Sequence, residues 1–344
     1  MYSKELKALI GMSNTAGSRV DYVQAGGGNT SVKFEDGYMA IKASGSLLKQ
    51  MNESFGYVVV NGTEMRRYHE IAHDPLSDCN KEAMELALSS VIQINGEKKA
   101  RPSVEVGFHS ILGKYVLHLH PVYANILLCS KGGTEKAMDI AHSAGISCIA
   151  VPYAMPGYNL TKLILGAMTD YKRMYSSVPK VIFLKNHGVV THGDTAEEAV
   201  SLMDAINGAI ITELDLPPFP SPAVEKEGDR YKSANDWMKR VLSESDLGFQ
   251  LRSSPVYPDQ LVYTANELGF DTGNSKIVIT HGDIFYNAGE KEAEALEETM
   301  TALVYIYSCI RDRGLELELL SPADCADVLG WDSEKYRKSL IAGR

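Results

Sequence analysis

No stretch of this chain is apolar for long enough to cross a bilayer. Its opening, MYSKELKALIGMSNTAG, has neither the apolar core nor the cleavage site of a secretory signal. Cysteine is scarce. The five residues Cys79, Cys129, Cys148, Cys309 and Cys325 are scattered, odd in number and never arranged as C-x-x-C. That argues against a disulfide framework and points to a reduced, cytoplasmic protein in which cysteine serves as a small hydrophobe. Positive charge is also short: 34 Lys and Arg stand against 44 Asp and Glu, for a net charge of −10. Such a surface repels phosphate backbones and so excludes broad nucleic-acid binding, though it leaves room for a small basic pocket. Internal repeats and low-complexity tracts are missing too.

What is present reads as α/β, with length enough for two domains. Ser31–Phe34 and Tyr38–Ala43 are β-prone runs around the turn Glu35-Asp36-Gly37. Further strands are expected at 57–60, 115–120, 146–151 and 181–184. Helices are expected at 63–72 (capped by Thr63 and stopped before Pro75), at 80–95 (with Gly96 past its end), at 103–112, and after the capping box Thr195-Ala196-Glu197-Glu198. LPPFPSPAVEKEGDR, residues 216–230, has four prolines and reads as a linker. It divides a region 1–215 from a smaller α/β region, 231–344. The latter has a hairpin around His281-Gly282-Asp283, a long helix over about 291–313, and both tryptophans, Trp237 and Trp331, as core or interface residues.

Two histidine patterns invite a metal. His69-Glu70-Ile71-Ala72-His73 has the letters of a zinc peptidase helix, but Asp74-Pro75 stops that helix at once. Two surface histidines one turn apart account for it. KYVLHLHP, 114–121, puts His118 and His120 on one face of a strand and Leu117 and Leu119 on the other. Alone, an H-x-H is more often two partly exposed side chains than a ligand pair. Its surroundings change the balance. Glu105 stands thirteen residues before His118, where it either complements a helix dipole or holds a carboxylate beside a metal. His187 falls at a turn between strands in LKNHGVV, well placed to complete a three-histidine set, whereas His192 reads as structural. The glycines of QAGGGNTSVKF are followed by a strand and by no Gly-Lys-Ser/Thr. They are therefore neither a P-loop nor a dinucleotide fingerprint. They can instead offer a nest of backbone N–H groups, with Asn29 beside it, to an anion; Ser44-Gly45 and Ser103 offer two more donor sites.

GGGNTS, ASG, PSVE, HLH and KNHG, in this order, resemble the class II aldolase/adducin family over about 18–213. PYAMPGYNL, YPDQLVYT and SEKYRKSL are most similar to the aldolase part of rhamnulose-phosphate aldolase/lactaldehyde dehydrogenase-type proteins. The resemblance implies an α/β/α fold with a mostly antiparallel central sheet, and a zinc ion, or another divalent transition metal, on His118, His120 and His187. It implies a catalytic Glu105, and phosphate binding by Gly28, Asn29, Ser44, Gly45 and Ser103. Val104 stands where the family often has a second phosphate-binding serine. Tyr153 matches a tyrosine acid that often serves a neighbouring subunit, with Tyr158 close by as the other choice and a packed aromatic as the plain alternative. A homo-oligomer, by family habit a tetramer, acting on a small sugar phosphate is implied, with no nucleic-acid or membrane partner. The expected reaction is reversible aldol cleavage of a ketose 1-phosphate to dihydroxyacetone phosphate and an aldehyde. A 4-epimerase or dehydratase on the same scaffold, or a non-catalytic adducin-like interaction protein, are the alternatives.

Overall fold

A computed structural model describes residues 3–74, 76–94, 100–265, 267–271 and 275–330. Pro75, Gly96, Trp331 and the SEKYRKSL stretch lie outside the described residues.

Eight strands make the main sheet: β1 Asn29–Lys33, β2 Tyr38–Lys42, β3 Tyr57–Asn61, β4 Val91–Ile94, β5 Tyr115–Leu119, β6 Cys148–Val151, β7 Val181–Leu184 and β8 Gly188–Gly193. Their order is β4-β3-β2-β1-β5-β8-β7-β6, and all neighbours are antiparallel except β6 and β7. The alternation of side chains divides the sheet into two buried faces. Leu117 and Leu119 join a large core with the helices Ser3–Gly17, Val122–Leu128, Gly133–Ser143 and Ala196–Leu214. Val116, Ile182 and Val190 face the opposite way, against Phe108 and Ile111 of the helix Val106–Ile111 and Leu160 and Ile164 of Tyr158–Tyr175. Met39, Ile41, Val58 and Val60 continue that second face under Met65 and Ala87. The result is an α/β/α sandwich with a mostly antiparallel sheet.

A second sheet follows, in the order β11-β12-β13-β10-β9, from β9 Val224–Glu227, β10 Arg230–Ser233, β11 Leu268–Phe270, β12 Ile277–Thr280 and β13 Asp283–Tyr286. The expected hairpin is β12 and β13, turning at His281 and Gly282, and the long helix runs Glu290–Asp312. Residues 300 to 310 of that helix are all buried. Trp237 is half-buried, its ring 6.2 Å from that of Tyr305.

Several local expectations are corrected. The helix drawn over 80–95 runs Cys79–Ser89 and is capped by Asp78, whose side chain accepts from Lys81 N. The β-branched residues after it leave as strand β4 and pair antiparallel with β3. The cap of the helix Gly62–Glu70 is Asn61, not Thr63, whose hydroxyl instead donates to the Gly37 carbonyl. The helix drawn from Ser103 begins only at Val106, with Glu105 as its N-cap rather than in its first turn. The preceding residues are held extended: Pro102 bridges to Ala43, and Ser44 N donates to Arg101 O at 2.8 Å. The proline-rich stretch 216–230 contains β9, and its Pro217 carbonyl accepts from the buried Tyr305 hydroxyl at 2.5 Å.

Candidate active site

Strand pairing assembles the site. Asn29, the first residue of β1, is paired with His118 on β5. On the other side of β5, Leu119 pairs with Val189 of β8, so His120 just past one strand meets His187 just before the other. Gly188 makes this approach possible. A Cβ there would lie 2.3 Å from the Leu119 carbonyl and 2.9 Å from the His120 ring. The turn that presents His187 has Asn186 at φ 52°, a left-handed conformation that asparagine tolerates.

The three imidazoles form a nearly equilateral triangle, with ring centres 4.9 to 5.0 Å apart. All three are buried. The His118 Nδ1 lies 3.1 Å from the Val189 carbonyl, which can only accept, so Nδ1 carries the proton and Nε2 a lone pair. The His120 Nδ1 lies 2.5 Å from an Asp259 carboxylate oxygen and is assigned the same way. The two bare Nε2 atoms then face each other at 3.2 Å. Glu105 Oε1 sits 3.4 Å from His118 Nε2 and 3.5 Å from His187 Nε2. That oxygen is buried and has no hydrogen-bond partner, while Oε2 accepts from the Asn29 amide. Lone pairs therefore converge on one small volume with no proton between the two nearest. Tetrahedral zinc–nitrogen bonds place ligand atoms about 3.3 Å apart, so the donor set fits a divalent ion.

Electrostatics agrees. Burial pushes the Glu105 carboxyl up, but positive charge on the triangle, at His118 first and then at His187 and His120, outweighs it and holds the group well below the usual carboxylate range; with the imidazoles bare, that charge is a bound cation's to supply. It is an anion aimed at the triangle. Burial first, and the neighbouring His118 second, push His187 down to about 3 and keep it neutral, as a metal ligand must be.

Next to the triangle, Gly26, Gly28, Asn29, Ser44, Gly45 and Ser103 line one cleft with Glu105, His120 and His187. Its free volume is about 50 Å³. Beyond Val104 and Pro156 it adjoins a larger cleft of about 660 Å³ that reaches Tyr158. The predicted residues thus meet in one place, except Tyr153. That side chain is half-buried in the large core, its hydroxyl 3.9 Å from the Met155 sulfur, and it does not line the cleft. Three contributors went unread in the sequence. Asp259 orients His120. Lys42, almost fully buried at the end of β2, lines the cleft with its Nζ 3.0 Å from the Gly26 carbonyl. Val328 closes the cleft from the helix Pro322–Gly330. The YPDQ context of Asp259 carries no motif chemistry, whereas an inward-facing lysine could have been suspected from the strand alternation around Lys42.

His69 and His73 take no part in the triangle, though His69 lines the larger cleft. His69 is buried, not on the surface as its arginine neighbours suggested. It lies one turn after Met65 on the inner face, and its Nδ1 is 2.8 Å from the Met65 carbonyl. The helix ends at Glu70, so His73 stands outside it. His73 groups with Cys79 and Glu82, but its Nε2 and the Glu82 carboxylate are already engaged by the Tyr68 carbonyl and hydroxyl, at 2.7 and 2.9 Å.

Residues 9–213 match the family model described as the Class II Aldolase and Adducin N-terminal domain. The chain belongs to this family. A curated relative, the uncharacterized oxidoreductase YuxG of Bacillus subtilis (strain 168), is 30% identical over 203 residues, which are 56% of this chain and 27% of the relative. The chain thus spans about a quarter of that relative's length. Among solved structures, the N-terminal class II aldolase domain of a conserved protein from Thermoplasma acidophilum is 25% identical, with a TM-score of 0.49 over 61% of this chain and 93% of that one. A sugar-phosphate aldolase from Thermotoga maritima is 14% identical, with a TM-score of 0.45 over 63% of this chain and 98% of that one. The triangle, Glu105 and the glycine loop fall inside the family match; Asp259 and Val328 fall beyond it. Among the described residues no helix is long and apolar enough to cross a membrane.

Proposed function

We propose that this protein is a zinc-dependent lyase that cleaves a ketose 1-phosphate reversibly between C3 and C4, giving dihydroxyacetone phosphate and an aldehyde. The observation that carries the reading is the Glu105 carboxylate. It is buried and ionised, and its one unpartnered oxygen is turned to three imidazoles of which two present bare nitrogens. A divalent ion held by His118, His120 and His187 supplies Lewis-acid stabilisation of the negative charge that builds as the C–C bond breaks.

The chain's own groups do the rest. The nest at Gly26–Asn29, with Ser44, Gly45 and Ser103, holds the phosphate, and Lys42 supplies the positive charge beside it. Val104 in place of a second serine removes one hydrogen bond from that grip. Glu105, steadied by the Asn29 amide, is the base that removes the C3 proton in synthesis and, once it carries that proton, the acid that returns it to C3 in cleavage. The smaller cleft takes the phosphate and the reacting carbons, and the wider neighbour past Val104 and Pro156 takes the aldehyde end. Tyr153, outside this cleft, handles the proton on the C4 oxygen of a substrate held by a neighbouring copy, which makes the working form a homo-oligomer.

The test is a panel of phosphorylated and free ketoses given to zinc-loaded protein, with release of aldehyde and dihydroxyacetone phosphate measured. Glu105→Gln is expected to lower turnover by about 10²- to 10⁴-fold while zinc stays bound. Full cleavage by that variant refutes the role of Glu105. A product epimerised or dehydrated without aldehyde release moves the reading to another reaction on this scaffold.

A further inference from the structure

Asp259 reaches the site from outside the matched domain, and the way it is held gives it a purpose. Its Oδ2 lies 2.5 Å from His120 Nδ1, and both side chains are almost wholly buried, at 2% and 5% exposure. His118 is oriented by the Val189 carbonyl, a rigid part of the sheet. His120 follows the last residue of β5, where ladder pairing no longer sets its ring. Asp259 is what turns its Nε2 towards the triangle. The carboxylate is itself anchored. It sits in the helical turn Pro258–Gln260, and Gln260 accepts from Val256 N at 2.9 Å and donates to Leu251 O at 2.7 Å and to the Tyr307 hydroxyl at 2.9 Å. Asn186, next to His187, donates to Val256 O at 2.7 Å and to Glu318 O at 2.7 Å. The Tyr257 ring packs edge-on to His120.

We infer that Asp259 is a positioning residue for His120, through which the C-terminal region sets how tightly the three-histidine site holds its divalent ion. The inference rests on the metal-site reading above. A carboxylate behind an imidazole fixes its tautomer, raises its basicity and adds negative charge one ring away from the cation, and removing such a partner commonly costs 10- to 100-fold in metal affinity. Here that partner belongs to another part of the chain, so docking of the C-terminal region and metal binding are linked.

The experiment titrates Zn²⁺ into metal-free full-length protein against a chromophoric chelator. Asp259→Asn is expected to bind zinc about 10- to 100-fold more weakly, and Asp259→Glu to recover part of the loss. The cobalt(II)-loaded Asp259→Asn protein is expected to show an altered visible absorption spectrum, since one ligand has lost its orientation. The metal-free melting temperature should stay near wild type while the rise on adding zinc shrinks, because only the metal-bound state is affected. In a His120→Ala background, Asp259→Asn should add no further loss of affinity. Zinc affinity within twofold of wild type overturns the inference. So does an undiminished loss in the His120→Ala background, or a metal-free melting temperature that falls as far as the metal-bound one. A wild-type chain that binds no zinc defeats the proposed function as well; a wild type that binds, beside an Asp259→Asn variant that binds equally, defeats this inference alone.

Discussion

Single residues decide whether the histidines can meet. Gly188 is the clearest case, since any side chain there collides with the Leu119 carbonyl and the His120 ring. Gly188→Ala should lower stability by about 1–3 kcal/mol, the usual cost of overpacking, and weaken zinc binding as well, both read from thermal melts with and without zinc. The same scale shows which residues could be found in the sequence. His118, His120, His187, Glu105 and Asn29 sit in short patterns whose spacing already suggests chemistry. The pair His69 and His73 has a pattern equally suggestive, and the structure separates the cases by orientation. One ring is tucked against its own helix, and the other hangs beyond the helix end. Asp259 stands in YPDQLVYT, a piece that carries a resemblance but no spacing suggestive of chemistry, because an acid that acts through a distant imidazole needs nothing of its sequence neighbours.

At the scale of elements, the turn between β7 and β8 does two jobs. It presents His187, and through Asn186 it pins the segment that carries Asp259. Asn186→Ala would leave the Val256 and Glu318 carbonyls without this donor and would put an alanine at positive φ. The unfolding free energy should fall by about 2–4 kcal/mol, measured by urea denaturation, with Asn186→Gly relieving only the backbone part. Most strands were legible, since alternation of apolar residues is a local signal: β7 matches its expected span, and β1, β2, β3 and β5 lie within a residue or two. The errors fell where long-range pairing overrides local preference. The segment after Ser89 becomes β4 by pairing with β3, and the helix after Pro102 starts late because residues 101 and 102 are drawn to the end of β2.

At the scale of the whole molecule, buried histidines tie stability to pH. Burial, with Lys180 next, pushes His192 on β8 down to about 4. The folded state therefore keeps it neutral while the unfolded chain, with an ordinary histidine pKa near 6.5, takes up a proton. The unfolded state binds more protons in that window. Stability is thus full above about pH 6.5 and is lost as pH falls towards 4, by about 3 kcal/mol from this group. The urea midpoint of the metal-free wild type should drop more steeply between pH 7 and pH 4 than that of His192→Gln.

The core is continuous at this scale as well. Residues from Leu9 to Val328 share one buried cluster, so the proline-rich stretch joins regions packed against each other. By itself, the sequence determined the sheet's alternation, the family, and most of the candidate side chains for a metal and an anion, because each depends on residues close together in the chain. Only the tertiary structure decided which histidine pair converges, that Glu105 turns a bare oxygen to the imidazoles, and that an aspartate 139 residues from His120 orients its ring. Those outcomes depend on strand register and on burial, and no local stretch of sequence encodes either one.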